Sequence, residues 1–586
     1  MIKQNRITAL ISLLLIYSLL VAATVTAGAQ RRDRRAASQP SPTPTPTPAV
    51  ATPSPLQTPS PSPTASPVVR SAATTKTLEE LRARITDVLQ KPELSSAMVG
   101  IKVASLDTGR TLFEQNAVKL LRPASNLKLY TVATALDRLS PDYRFNTSVY
   151  AANRPDAAGI LHGDLTIYGR GDPTIAARFS NGDYFQRINE LAARIAATGL
   201  KRVEGDLVGD ETYFIGPKYG SGWNWEDLQW WYGAEVSSLT INDNALDLSI
   251  KPGPSAGSPA IITTGPPDPL LTIVNRVTTG PKSSRRELAV HRDLNADTLE
   301  LYGSIPLDDS GYTRAIGISH PSLLFIYLLR TALAQRGVTI TGKSRTVPAP
   351  AYANASLTAN PTGPIEIASL QSPPLSVVAA ETLKRSQNLY TELILRTLGK
   401  AVPPPPASTS SSANSSSIRP ANASSTGAAE PQITATVQPT PRTSEEGGLE
   451  VVKTFLKEAG ASSDVLSLDD GSGLSRNNMV TAEATVQLLI YMNRHRYATA
   501  FRDALPIAGV DGTLRGRMRG TLAANNVRAK TGTLSSAASL AGYVTTAAGE
   551  NLVFSIIVNN YPSDVDPPTV CIDPIMVLLA SFAGRS

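Results

Sequence analysis

Two proline-rich tracts limit what this chain of 586 residues can fold into. Residues 37–69 hold 11 prolines and residues 401–446 hold 8, so the two tracts account for 19 of the 45 prolines in the chain. Segments of this composition bury too little apolar surface to offset the entropy lost on ordering. We therefore predict a disordered proline-rich linker at residues 30–74 and a disordered Pro/Ser-rich surface loop at residues 401–446. The remaining sequence has ordinary proline content and is expected to be globular.

The N-terminus has the layout of a secretory signal peptide. Lys3 and Arg6 precede an apolar run at residues 7–25, and the small-residue sequence AGA follows it. The apolar run is long enough that an uncleaved membrane anchor is the alternative. We predict that residues 1–29 are a signal peptide or an N-terminal anchor. The protein is then exported to the periplasm or cell envelope, either free or associated with the membrane through its N-terminus.

Charge and cysteine content narrow the classes of function. The formal net charge of +7 would suit an anionic surface, but Lys and Arg form no compact block, so a nucleic-acid partner is not expected. Cys571 is the only cysteine, so no intramolecular disulfide can form and stability must come from apolar cores. Because Cys571 lies in the apolar segment TVCIDPIMVLLASF, we expect a buried packing residue and not a nucleophile.

Hydrophobic periodicity predicts an α+β body whose sheet uses both ends of the chain. A first helix is predicted after Thr77, which forms a capping-box pattern with Glu80. Two apolar runs at residues 98–116 flank a turn and predict a β-hairpin. Three strands and a final helix are predicted between residues 526 and 583. Residues 146–364 are rich in short strand-like runs, which is enough sequence for one or two inserted domains.

The segment RPASNLKLYTVATAL sets Lys128 three residues after Ser125. In a helix these two side chains share one face, so an amine would meet a hydroxyl. A serine becomes a good nucleophile only when a base takes its proton. The chain has only four histidines and no H-E-x-x-H sequence, so histidine-based and zinc-based hydrolysis are not favoured. A lysine can be the base if burial favours its neutral form, which makes Lys128 the candidate base for Ser125.

The spacing S-x-x-K is a weak signal alone, because a surface lysine beside a helix-capping serine gives the same pattern. Two further motifs increase its weight. Ser386 and Asn388 form S-x-N in RSQNLYTELILRTLG, and residues 530–532 form K-T-G on a predicted strand. The order S-x-x-K, S-x-N, K-T-G is the one found in penicillin-binding proteins and serine β-lactamases.

The chain resembles the D-alanyl-D-alanine carboxypeptidases of the class C, type 4 penicillin-binding proteins, peptidase family S13, over about residues 77–586. Beyond the three motifs, the resemblance includes GRGDPTI (169–175), GWNWEDLQWWYGAEVSSLTINDNALDLSIKPG (222–253), GSIP (303–306), DDGSGLSRNN (469–478) and GVDGTLRGRM (509–518). The Pro/Ser-rich loop after the S-x-N helix departs from the family pattern.

This resemblance implies an α+β fold with a serine β-lactamase/transpeptidase-like domain and two inserted, mainly β domains. The implied boundaries are a catalytic domain at 75–145 and 365–586, inserted domain II at 146–252 and 311–364, and inserted domain III at 253–310.

Roles for the motif residues also follow from the resemblance. Ser125 would attack the carbonyl of the penultimate D-alanine while Lys128 accepts its proton. Ser386 would relay the proton to the departing amine, and Asn388 would hold Lys128 and the substrate amide. Backbone N–H groups of Ser125 and Thr533 would form the oxyanion hole. Water would then hydrolyse the acyl-enzyme, and no metal or organic cofactor is expected.

Substrate recognition is assigned on the same basis. Lys530 and Thr531 would bind the terminal carboxylate, and Gly532 belongs to the same substrate-binding strand. Asp172 and Arg476 match family motifs that recognise the side-chain amine and the carboxylate of the stem peptide. The alternatives are a turn-forming residue before a proline for Asp172 and a structural ion pair for Arg476.

The leading hypothesis is a serine-type D-alanyl-D-alanine carboxypeptidase that acts on peptidoglycan stem peptides. Cleavage of D,D crosslinks as an endopeptidase is a second activity that the same site would allow, and β-lactam antibiotics are expected to be covalent inhibitors. A non-catalytic peptidoglycan-binding protein and a secreted serine β-lactamase are the alternatives.

Overall fold

The computed structural model describes residues 75–294, 296–351, 364–402, 442–461 and 463–586. All of them belong to one compact unit. The predicted signal peptide or anchor (1–29) and the predicted linker (30–74) lie outside the described residues. In the described part of the chain, no helix combines the length and the apolar character that crossing a membrane would need.

The described residues form ten α-helices, which in chain order are α1 (Leu78–Leu89), α2 (Lys128–Leu139), α3 (Gln186–Ala196), α4 (Pro321–Ala334), α5 (Leu375–Arg385), α6 (Asn388–Ala401), α7 (Ser444–Glu458), α8 (Ala482–Arg494), α9 (Ala498–Asp503) and α10 (Asp573–Ser581). The predicted first helix is confirmed, because Thr77 Oγ1 accepts the Glu80 N–H and caps α1. The predicted last helix is confirmed as α10, which follows a π-helical turn at Pro568–Ile572.

The same residues form nineteen strands, which in chain order are β1 (Met98–Ser105), β2 (Thr111–Gln115), β3 (Asn146–Ala151), β4 (Ile160–Leu161), β5 (Leu165–Tyr168), β6 (Arg202–Val203), β7 (Leu207–Asp210), β8 (Ala245–Lys251), β9 (Ile261–Gly265), β10 (Thr272–Gly280), β11 (Glu287–His291), β12 (Thr298–Pro306), β13 (Tyr312–Gly317), β14 (Thr339–Ile340), β15 (Ser344–Val347), β16 (Ile365–Gln371), β17 (Arg528–Leu534), β18 (Ala537–Thr545) and β19 (Asn551–Asn559). The predicted hairpin is β1 and β2, and the three predicted C-terminal strands are β17 to β19.

An antiparallel sheet of order β17-β18-β19-β1-β2 joins the two ends of the chain. Strands β1 and β19 pair from Met98 opposite Asn559 to Ser105 opposite Leu552. Side chains of α1 and α10 form one apolar cluster with side chains of this sheet. Side chains of α2 and of α5 to α9 form a second apolar cluster with it. Because both faces are covered, β19 reads as a nearly continuous apolar run and not as an alternating one.

Between α2 and α5 the chain forms a large insertion. Its main sheet has the order β15-β7-β5-β3-β16, and its three smaller sheets are β14-β6-β4, β13-β8-β9 and β10-β12-β11. Strand β16 pairs with β3 from Ile365 opposite Ala151 to Gln371 opposite Asn146. Because β3 belongs to predicted inserted domain II, β16 belongs to it as well. The boundary with the catalytic domain, predicted at residues 364/365, therefore moves by one strand, to about residue 371. One apolar cluster runs through both predicted inserted domains, and their separation stays a prediction.

The predicted loop at residues 401–446 is wrong at both of its ends. Helix α6 includes Ala401, and α7 begins directly after Thr443. Thr443 Oγ1 accepts the Glu446 N–H while the Glu446 carboxylate accepts the Thr443 N–H, a capping box that orders the chain here. Residues 403–441, the centre of the predicted loop, lie outside the described residues.

Candidate active site

Ser125 and Lys128 lie at the start of α2. Ser125 belongs to a 3-10 turn at Ala124–Leu127, and Lys128 is the first residue of the helix. Residues three apart eclipse each other in a 3-10 turn, and the Lys128 Nζ lies 3.0 Å from the Ser125 Oγ. Ala124 has a φ of 47°, an uncommon conformation for a residue with a side chain and one that clusters at functional sites. The predicted contact between hydroxyl and amine is therefore present.

The amine of Lys128 is fully buried and has two further hydrogen-bond acceptors. Asn388 Oδ1 lies 2.6 Å from Lys128 Nζ, and the Ser472 carbonyl oxygen lies 2.7 Å from it. A neutral amine can donate to these two acceptors and turn its lone pair toward the Ser125 hydroxyl. Burial lowers the pKa of Lys128 to about 7, although the negative charges of nearby carboxyl groups oppose the shift. The site thus holds a base whose neutral form is populated near neutral pH.

The S-x-N residues lie at the junction of α5 and α6. Ser386 ends α5 with a φ of 60°, and Asn388 is the first residue of α6. Asn388 Nδ2 donates to the Tyr232 carbonyl at 2.8 Å, which orients the amide so that its oxygen faces Lys128. The predicted contact between Asn388 and Lys128 is present.

Lys530 of the K-T-G motif faces the other motifs from the sheet. Its Nζ donates to Ser386 Oγ at 2.9 Å and to the Thr531 carbonyl at 2.6 Å. Burial, and after it the positive charge of Lys128, lower the pKa of Lys530 well below its usual value. Strand β17 is the edge of its sheet, and Thr533 near its end is exposed. The Lys530 amine and the edge strand β17 therefore border the region between the three motifs, which we call the groove.

Gly532 lets this strand approach the nucleophile. A Cβ on Gly532 would lie 2.2 Å from Ser539 Oγ, 2.5 Å from the Pro123 carbonyl oxygen and 3.0 Å from the Ser125 nitrogen. Ser539 Oγ also donates to the Pro123 carbonyl at 2.6 Å, which holds the turn against the sheet. The backbone N–H of Ser125 therefore lies beside β17, as an oxyanion hole built from both would require.

Asp470 is a residue that the motif interpretation missed. Its carboxylate accepts six hydrogen bonds, from the N–H groups of Gly473, Leu474 and Ser475, the Ser472 hydroxyl, the Asn478 amide and the Trp223 indole. The chain wraps around this carboxylate and turns the Ser472 carbonyl toward Lys128. An aspartate before Gly-Ser-Gly is a turn signal, and it is the feature of the sequence that could have indicated this role.

Glu392 on α6 is a second residue near Lys128 that the interpretation of the motifs missed. It is fully buried, and its Oε1 accepts the Gly471 N–H at 3.0 Å. Burial, followed by the nearby Asp470 and Glu445, raises the pKa of Glu392 well above its usual value. The negative charge of Asp470 and, after it, that of Glu392 oppose the lowering of the Lys128 pKa.

Comparison with known proteins identifies the family. The model of the D-Ala-D-Ala carboxypeptidase 3 (S13) family matches residues 81–421 and 423–581. The chain belongs to this family. The D-alanyl-D-alanine carboxypeptidase of Actinomadura sp. strain R39 is 32% identical over 533 residues, which are 89% of this chain and 88% of that protein. The D-alanyl-D-alanine carboxypeptidase DacB of Haemophilus influenzae is 24% identical over 484 residues, which are 81% and 88% of the two chains.

Membership of the S13 family confirms the predicted family and the predicted class of enzyme, a hydrolase of the carboxypeptidase type. The crystal structure of penicillin-binding protein 4 (DacB) from Haemophilus influenzae matches with a TM-score of 0.65 at 22% identity, over 84% of this chain and 97% of that one. Its complex with a β-lactam matches with a TM-score of 0.62 at 21% identity. At these identities the likeness concerns the fold, and it confirms the predicted α+β architecture.

Asp172 and Arg476 make the contacts expected of a structural role, a turn for Asp172 and an ion pair for Arg476. Asp172 is buried, its Oδ1 accepts the N–H and the hydroxyl of Thr174 at 2.8 and 2.7 Å, and burial raises its pKa to about 6. Its Oδ2 finds no hydrogen-bond partner among the described residues. Arg476 Nη1 lies 3.5 Å from Asp227 Oδ2, and Asp227 belongs to residues 223–231, which contain all four tryptophans of the chain. Their roles in substrate recognition stay predictions.

Proposed function

We propose that this S13 protein is a serine-type D-alanyl-D-alanine carboxypeptidase that hydrolyses peptidoglycan stem peptides through an acyl-enzyme on Ser125. The observation that carries the proposal is the 3.0 Å contact between the Ser125 hydroxyl and the buried amine of Lys128. A neutral amine beside a serine hydroxyl can activate it for acyl transfer. Lys530 on β17, which donates to Ser386, suits a substrate that ends in a carboxylate. Both relatives described above carry the name D-alanyl-D-alanine carboxypeptidase.

In the acylation step, Ser125 Oγ attacks the carbonyl carbon of the penultimate D-alanine while its proton passes to Lys128 Nζ. The N–H groups of Ser125 and Thr533 stabilise the oxyanion that forms. The C–N bond then breaks, the departing amine takes a proton from the Ser386 hydroxyl, and Lys128 replaces that proton. D-alanine leaves, and the rest of the peptide stays as an ester on Ser125.

In the deacylation step, water attacks the ester carbonyl. Lys128 takes a proton from the water, and Ser125 Oγ regains a proton as the C–O bond breaks. The shortened peptide leaves as a carboxylic acid. The same two steps on a crosslink between two stems would be endopeptidase cleavage, and a β-lactam ring would open onto Ser125 as in the acylation step.

A fluorescent penicillin tests this proposal. We expect the purified protein to form a slowly hydrolysed adduct on Ser125, located by mass spectrometry of a proteolytic digest. Ser125→Ala should form none, while Ser95→Ala, which changes an exposed serine in the same way, should react normally. Release of D-alanine from a stem peptide should follow the same pattern, and release from a crosslinked dimer measures the endopeptidase activity.

The other outcomes distinguish the alternatives. Rapid turnover of the penicillin would indicate a serine β-lactamase. The absence of both an adduct and D-alanine release would indicate a non-catalytic peptidoglycan-binding protein.

Export of the protein is part of the proposal. We propose that residues 1–29 direct it to the periplasm or cell envelope, since two basic residues, an apolar run and a small-residue site follow one another there. Cell fractionation and sequencing of the mature N-terminus test this. A new N-terminus near residue 30 would show a cleaved signal, an intact N-terminus in the membrane fraction would show an anchor, and a cytoplasmic protein would contradict export.

A further inference from the structure

The segment GVDGTLRGRM (509–518) packs against the end of α5, beside the active-site groove. Asp511 Oδ1 accepts the Ile507 N–H at 2.8 Å, and Asp511 Oδ2 pairs with Lys384 Nζ. Gly512 has a φ of 55°, and a Cβ there would lie 2.7 Å from the Lys384 carbonyl oxygen, so this position favours glycine. The segment is thus fixed to α5 two residues before the S-x-N serine.

This placement brings a second threonine hydroxyl to the K-T-G strand. Thr513 lies in the 3-10 turn at Gly512–Leu514, and its Oγ1 accepts a hydrogen bond from Thr531 Oγ1 at 2.7 Å. Thr531 is nearly buried and Thr513 is partly exposed. Only one proton can lie between two hydroxyl oxygens, so one hydroxyl donates and the other accepts. In the structure Thr531 is the donor and Thr513 the acceptor, and rotation about the two C–O bonds is sufficient to exchange these roles.

The donors available to a substrate carboxylate make this pair important. A carboxylate beside Lys530 favours its ammonium form, which has three N–H donors, and two of these are directed to Ser386 Oγ and the Thr531 carbonyl. One N–H is left for a carboxylate that can accept several hydrogen bonds. The Thr531 hydroxyl is needed as a further donor, and when its proton points to the carboxylate its oxygen is free to accept a proton from Thr513.

We propose that Thr513 is a positioning residue for the terminal carboxylate of the substrate: when the Thr531 hydroxyl turns its proton from Thr513 to that carboxylate, Thr513 donates to Thr531 Oγ1 in exchange and so holds the Thr531 proton there. The inference rests on the proposed function and assigns the recognition of the substrate's end to one more residue. Hydrogen bonds in a chain polarise each other, so the loss of the Thr513 hydroxyl weakens carboxylate binding. It leaves the contact between Ser125 and Lys128 untouched.

The test is Thr513→Val, which keeps the branched shape and removes the hydroxyl, with Thr513→Ser as the conservative variant. Each enzyme is assayed with an N-acylated peptide that ends in D-alanyl-D-alanine and with the same peptide as its C-terminal amide. We expect Thr513→Val to raise KM for the free acid about three- to tenfold, with kcat within about twofold. The kcat/KM for the amide should not change, and Thr513→Ser should restore KM for the acid.

A matched control is Thr331→Val, because Thr331 Oγ1 donates to a backbone carbonyl within α4. This variant should behave as the wild type with both peptides. An unchanged KM of Thr513→Val for the acid would overturn the inference. An equal loss with both peptides, together with a lower melting temperature, would also overturn it and would show that Thr513 only holds the loop. If the wild type cleaves neither peptide and forms no penicillin adduct, the proposed function fails, and the inference fails with it.

Discussion

The charge state of Lys128 makes the acylation rate depend on pH. Only the neutral amine can accept the Ser125 proton, so the rate should rise as the pH increases from 5 and level off once Lys128 is mostly neutral. Burial lowers the pKa of Lys128 to about 7. The midpoint of the rise is therefore expected near neutral pH, and not above pH 10 as for an exposed lysine.

The size of the effect follows from the lowered pKa. With the ordinary value of 10.5, roughly one lysine in 3,000 is neutral at pH 7. With a pKa of about 7, about half of the Lys128 side chains are neutral at that pH. Burial thus increases the population of active base about a thousandfold. Below the midpoint, the rate should fall about tenfold for each pH unit.

Stopped-flow fluorescence with a fluorescent penicillin measures this rate between pH 5 and 9 at constant ionic strength. Lys128→Arg is the control for charge, because a guanidinium stays protonated over the whole range. Lys128→Met is the control for the volume of the pocket, because it has a similar length and no amine. Both variants should form no adduct at any of these pH values, and circular dichroism should show that both are folded.

Two results would refute this reasoning. One is a rate that is already maximal at pH 5, which would mean that Lys128 does not need to lose a proton. The other is a rate that still climbs tenfold per unit at pH 9, which would mean that burial does not lower its pKa. Titration of Lys530 is distinguishable, because loss of its charge weakens carboxylate binding and gives a falling limb.

Three further changes test the rest of the site and the core. Gly532→Ala should lower the acylation rate at least about tenfold, because its Cβ would lie 2.5 Å from the Pro123 carbonyl oxygen and push β17 away; a normal rate would contradict this. Asp470→Ala should lower the free energy of unfolding by about 2–5 kcal/mol, measured by urea denaturation. The reason is that the Trp223 indole and the N–H groups of residues 473–475 lose their acceptor. A loss below about 1 kcal/mol would contradict this. Cys571 is buried, and burial raises its pKa to about 12. A thiol reagent at pH 8 should therefore label it only after denaturant is added. Rapid labelling of the native protein would show that the thiol is accessible.

Local patterns were sufficient to predict the strands of the sheet that joins the two ends of the chain, and the helix α1 that packs with it. The capping residues before α1, the two runs around a turn in β1 and β2, and the apolar runs of β17 to β19 are all contained in short windows. The pairing of β1 with β19 joins residues from opposite ends of the chain, and no short window contains it. The strands of the insertion were harder to predict from sequence. Strands β4, β6 and β14 have only two residues each, and β16 pairs with β3 across the whole length of the insertion.

The contacts of Lys128 with Ser125 and Asn388 were predictable because motif spacing reports these residues directly. The third partner of Lys128 was not, because it is the backbone carbonyl of Ser472, and every residue has a carbonyl. Its direction depends on the turn around Asp470. The raised pKa of Glu392, which accepts the Gly471 N–H, follows only once its burial is known. The same limit applies to Thr513, whose contact with the K-T-G strand is a product of the fold.

The groove contains two buried lysines, and residue type alone cannot say which of them is the base. Burial lowers the pKa of both lysines; nearby Asp470 and Glu392 oppose this at Lys128, whereas the positive charge of Lys128 adds to it at Lys530. In the free protein these charges therefore favour a neutral Lys530 over a neutral Lys128. Two ammonium groups in one buried groove repel each other, so one of the pair gives up its proton readily. A substrate carboxylate beside Lys530 favours the charged form of that lysine, and this charge in turn disfavours a proton on Lys128. Substrate binding and activation of the base are therefore expected to act in the same direction, because the two amines are close enough for the charge of one to act on the other.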